Sequence, residues 1–120
     1  YSVNDALGGQ APANRQAVTA FLNQLYSSSD LTKFFKTQAA FAADTPIALV
    51  GDATEGRAGV EAMLDIEYMP AMGALNPTEF WGFSGQSPNN ADDEPFLTWL
   101  YERASKASVL AASAPALPSN

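Results

Sequence analysis

The chain has 120 residues, enough for one modest domain and too few for a large enzyme. Its 47% hydrophobic content is that of a globular protein, and a net charge of −7 argues against nucleic acid, whose phosphates need a basic face. Histidine and cysteine are both absent, which excludes thiol chemistry, a disulfide framework, zinc sites and any Ser-His-Asp triad contained in this chain.

No apolar run approaches the length of a bilayer, so no membrane is expected as a partner. No signal pattern opens the chain, so the protein is either cytosolic or has lost an upstream signal. Residues 1–13 contain Gly8, Gly9 and Pro12 and read as an extended lead-in. Residues 14–26 place Val18, Phe21, Leu22 and Leu25 at helical spacing, which predicts an amphipathic helix. Ser27, Ser28 and Ser29 end it and cap a second, shorter helix through Asp30, Leu31, Phe34 and Phe35, with Lys33 and Lys36 on a solvated face. The run from Ile47 to Val50, after Pro46 and before Gly51, predicts a short buried strand. A turn over residues 51–56 then leads into an acidic helix over residues 56–73, making a βα unit whose ligand-facing residues gather beyond the strand's carboxyl end.

On that helix Glu61 and Asp65 fall about 40° apart, on the side that also carries Leu64, Tyr68, Met69 and Met72. Glu67 projects the other way. Two carboxylates in an apolar stripe are costly, because like charges four residues apart repel and burial disfavours ionising either. At about 5 Å and an effective dielectric of about 20 the repulsion is roughly 3 kcal/mol, which spreads the two deprotonations over about two pH units. Such a pair titrates as a unit and suits general acid/base chemistry. The same spacing also fits two solvated acids at a wet interface, or two oxygen ligands of a metal completed from another helix.

Asn76 and Pro77 make a turn, and residues 79–83 an aromatic strand parallel to the first, because a helix lies between them. Residues 85–93 form a polar loop. Asp92 or Asp93 caps a last helix with Pro95 in its first turn, through Phe96, Leu97, Leu100, Tyr101 and Ala104. Trp99 reads as core. From Ser108 the composition collapses to Ala, Ser and Pro, which predicts a mobile tail over residues 108–120. The order helix, strand, helix, strand, helix gives an α/β class with parallel strands, yet two strands are too few for a covered sheet, so the chain reads as part of a larger domain. Gly82, Phe83, Ser84 and Gly85 have the wrong spacing for a nucleophile elbow and read as a turn. Residues 51–59 lack the lysine of a phosphate loop, and Asp92, Asp93 and Glu94 fit helix capping better than a cation site.

At the acidic helix a family resemblance becomes specific. The run GRAGVEAMLDIEYM from Gly56 to Met69 resembles the E-x-x-x-D helix of the sedolisins, the serine-carboxyl peptidases, and within them the tripeptidyl-peptidase branch. YSVN at residues 1–4, FLNQLY at 21–26, SDL at 29–31 and EPFLTWL at 94–100 resemble further blocks of that catalytic domain, in the same order. The resemblance implies a subtilisin-like parallel sheet covered by helices and completed by a second chain, with residues 1–107 as its amino-terminal portion. It implies hydrolysis of peptide bonds in acid by a Ser-Glu-Asp triad, with Glu61 as general base and Asp65 holding and polarising it. The nucleophilic serine, the aspartate of the oxyanion hole and a calcium-binding loop are implied to lie on a larger carboxy-terminal chain of the same precursor. The tail over residues 108–120 then marks a processing site, and the protein is secreted or lies in the lumen of an acidic compartment. Bacterial members carry a glutamate just after the first strand, where Gly51 and Asp52 stand here. The alternative is a non-catalytic binding or inhibitory module that keeps the fold.

Overall fold

The computed structural model describes residues 14–73 and 76–113, so the lead-in and the last seven residues of the tail lie outside the described residues. The chain divides into two compact units, residues 1–85 and residues 86–120. The first unit carries a three-stranded parallel sheet of β1 (Gln16–Ala20), β2 (Ile47–Gly51) and β3 (Thr78–Gly82), in the order β1-β3-β2. Helices α1 (Ser28–Gln38) and α2 (Val60–Met72) make the crossovers, with a short 3-10 turn at Ala40–Ala42. The α/β class with parallel strands is what the sequence predicts.

The sheet has one strand more than expected. Residues 14–26 are not a helix: β1 is followed by a reversal at Leu22 and Asn23, whose φ of 51° and 61° no right-handed helix can contain. The apolar spacing fits a helix, but burial in β1 has a period of two, with Val18 and Ala20 buried and Ala17 and Thr19 exposed. The branched Val18 and Thr19 suit a strand, and pairing with β3 decides the matter.

Each outer strand takes its register from β3, so that Val18, Phe80 and Leu49 lie abreast on one face. β3 is central, and Thr78, Phe80 and Trp81 are all but inaccessible, as a strand covered on both faces requires. β2 departs from expectation. It is an edge strand, with Ala48 exposed and Leu49 45% exposed.

α1 begins at the predicted serines, where the Ser27 hydroxyl accepts from the Asp30 N–H at 3.3 Å. It buries Leu31 and Phe35, while α2 buries Ala62, Ile66 and Pro70 against β1 and α1. Leu31, Phe35, Ala62 and Ile66 join Val18, Ala20, Tyr26 and Phe80 in one core. In the second unit, α3 (Phe96–Ser113) starts within two residues of Glu94, and the Phe96 N–H donates to the Glu94 carbonyl at 2.8 Å. It runs on through 108–113, residues that composition assigns to a tail; alanine is the strongest helix former, and serine is tolerated.

Candidate active site

α2 is brought to its place by its neighbours before it. The segment that leaves β1 runs parallel to the connection between β2 and α2, with Leu25 bridged to Ala58 and Tyr26 to Glu55. The Gly56 N–H donates to the Tyr26 carbonyl at 3.0 Å, and the Gly59 N–H to the Leu25 carbonyl at 2.8 Å. Gly59 leaves room for the Gln24 side chain, since a Cβ there would stand 2.1 Å from Oε1 of Gln24 and that side chain would have to move. Nothing in the sequence marks Gln24 for this role. α2 starts at the next residue, with no side chain capping it.

Glu61 lies in the first turn of α2, where the helix dipole favours a carboxylate, and Asp65 follows one turn on. Both stand on the predicted side of the helix. The expected burial is not there: Glu61 is exposed and Asp65 only half-buried. Their apolar companions are also exposed, with Leu64 at 56%, Tyr68 at 53%, Met69 at 38% and Met72 at 63%. The reason lies in which residues meet the sheet. Ala62, Ile66 and Pro70 form the stripe that packs inward, and Ile66 is roughly 120° around the helix from the midpoint of the acidic pair. The side of α2 that carries Glu61 and Asp65 is therefore left largely open by the described residues, apart from the Tyr68 ring, which packs on Phe34 of α1 at 5.4 Å. Among the described residues no group of three acidic side chains could hold a metal ion.

Glu67 does face elsewhere. With Ala58, Gly59, Val60, Met63 and Leu64 it lines a cavity of about 390 Å³. Burial, and after it the charge of Asp30 on α1, pushes its carboxyl above the usual range. Met63 ties the same two helices together, its sulfur accepting the Ser27 N–H at 3.2 Å.

One pairing is invisible in the sequence. Asp52, just past β2, accepts the Ser84 N–H at 2.9 Å on Oδ1 and the Ser84 hydroxyl on Oδ2. The two residues are 32 apart, and no local pattern links them. Among the described residues β1 precedes the strand that the sequence reading counts as the first, and the residue after β1 is Phe21, whose ring stacks on Phe83 at 6.2 Å.

No protein-family model matches the chain, and no solved structure matches it. Tripeptidyl-peptidase 1 from Rattus norvegicus is 41% identical over 96 residues, 78% of this chain and 16% of that protein. The proteins of the same name from Mus musculus and Homo sapiens are 40% and 38% identical over the same share. The chain thus spans 16% of the length of the curated relatives it matches. Relatives at this identity over most of the chain, on an α/β parallel-sheet unit that presents Glu61 and Asp65 one turn apart, place it in the sedolisin family, on the tripeptidyl-peptidase branch.

Proposed function

We propose that this chain supplies the general base and its partner to an acid-acting serine-carboxyl peptidase. The observation that carries the reading is the bare side of α2, on which two carboxylates one turn apart are set among large exposed apolar residues. A soluble helix turns such a face inward, so this one calls for a cover. The cover we assign is the larger carboxy-terminal chain of the same precursor, which brings the nucleophilic serine and the oxyanion aspartate. Calcium, which the family resemblance implies, belongs to that chain as well.

Once covered, Glu61 and Asp65 leave water together and face the serine that the partner chain brings. Ionised Glu61 takes the proton of the serine hydroxyl as the oxygen attacks the peptide carbonyl, then returns it to the departing amine. Asp65 orients Glu61 and stabilises the protonated form in between, the part that an aspartate plays beside histidine in other serine peptidases. The backbone and side-chain donors of the oxyanion hole come from the partner chain. A carboxylate base, unlike an imidazole, works in acid, so turnover is expected to be greatest below about pH 5. The protein therefore belongs outside the cell or in an acidic lumen, with peptides or proteins as substrate.

The test is Glu61→Gln in the assembled enzyme. Turnover is expected to fall by roughly 100- to 10,000-fold, the contribution of a general acid–base group, with the thermal midpoint held. Unchanged turnover would remove Glu61 from the mechanism. This chain without its partner is expected to hydrolyse nothing.

A further inference from the structure

The connection from β2 to α2 is fastened at both ends. Its α2 end is held by the carbonyls of Leu25 and Tyr26. At its β2 end the carboxylate of Asp52 takes both polar hydrogens of Ser84, one on each oxygen. The Ala53 N–H adds a bond to the Gly82 carbonyl at 3.2 Å. The two strands meet so closely here that a Cβ on Gly51, where φ is +99°, would stand 2.0 Å from that same carbonyl oxygen. Ser84 in turn follows an anchored residue. Phe83 is 4% exposed, and its N–H donates to the Ala20 carbonyl at 3.0 Å. A carboxylate on a loop is thus locked to a rigid strand end, at the edge of the parallel sheet where ligands gather.

We propose that Asp52 and Ser84 form a clasp that positions Glu61, by fixing the start of the short connection that carries the chain into the first turn of α2. The proposal rests on the reading of Glu61 as general base, and both residues act through it as positioning residues. A surface connection of this kind is otherwise mobile, and a displacement of about 1 Å at a reacting group costs on the order of 100-fold in rate. One end of this connection would be loosened without the clasp.

The clasp is also suited to acid. The Ser84 hydroxyl first, and its N–H second, hold the Asp52 carboxyl below the usual carboxylate range. No charged side chain among the described residues contributes to that shift. A lowered carboxyl gives its full contribution above the ordinary value of about 3.9 and loses it only as pH falls through the lowered one. The clasp therefore outlasts acidity that neutralises an ordinary aspartate.

Asp52→Asn and Ser84→Ala in the whole enzyme, assayed across pH, test this. Both are expected to lower kcat roughly ten-fold at the optimum with KM within about two-fold, as for a group needed to orient the reacting atoms. The ratio of wild-type to variant kcat should shrink toward one in stronger acid, where the native clasp opens too. Amide hydrogen exchange of residues 52–59 and 82–85 should quicken in both variants. A ratio constant across pH, or a kcat equal to wild type in both, overturns the proposal. Should Asp52→Asn fail to fold, Ser84→Ala decides, because it removes one bond and leaves the N–H bond in place. Glu61→Gln in the same series separates the two readings. An active Glu61→Gln enzyme sinks the general base, whereas an inactive one beside a wild-type-like Asp52→Asn sinks only the clasp.

Discussion

The two sides of α2 are both apolar, and they have opposite fates. Ala62, Ile66 and Pro70 are buried within this chain, whereas Leu64, Tyr68 and Met72 are larger on average and more than half exposed. Hydrophobicity alone does not separate them. The separation comes from what each side meets: the first meets β1 and α1, and the second stays largely uncovered by the described residues of its own unit. The inner side makes the unit fold; the outer side, with Glu61 and Asp65 set into it, is where we place assembly and chemistry.

Substitutions on the two sides should therefore fail in different assays. Beyond the loss of turnover expected for Glu61→Gln, Ile66→Ala is the largest structural lesion. Ile66 is fully buried in the core, and its truncation should cost about 2–5 kcal/mol, read as an earlier midpoint in denaturant unfolding. Leu64→Lys should do the converse. It should change the unit's own stability by less than about 0.5 kcal/mol, yet weaken copurification with the proposed partner chain by roughly ten-fold or more, as loss of an interface anchor does. If Leu64→Lys and Ile66→Ala gave the same pattern in both assays, the distinction between the two sides would be lost.

The smallest effect is expected between the two sides, at Glu67. Burial and Asp30 raise its carboxyl, so the folded state binds that proton more tightly than the unfolded chain does. Stability from this source is complete below the ordinary glutamate value of about 4.3 and is lost as pH rises through the raised one. Glu67→Gln should accordingly raise the thermal midpoint slightly at neutral pH and leave it unchanged in acid. A gain that persisted in acid would point to packing instead of charge.

The same contrast explains what can be read from the sequence. α1, with its serine cap and the buried Leu31 and Phe35, is legible because capping and helical spacing are local signals. α2 and the shared side of Glu61 and Asp65 are legible for the same reason, and β3 because a central strand is rich in apolar and aromatic residues. The strand β1 is not. The apolar residues around it satisfy a helix and a strand alike, and only pairing with β3, some sixty residues away, chooses between them. Burial of the acidic pair escapes the sequence because periodicity tells which residues share a side, not which side finds a neighbour. The Asp52–Ser84 pair is a tertiary contact with no sequence period at all.

The open flanks of the sheet carry a consequence for handling the protein. β1 and β2 are each zipped to β3 along one margin, and among the described residues neither has a ladder on the other. Rows of unmatched peptide groups beside the half-bare Leu49 form a template for any extended strand that drifts by, including one from a sister molecule. Expressed by itself at high concentration, the polypeptide should cluster edge to edge, and coexpression with the covering chain proposed above is the natural remedy.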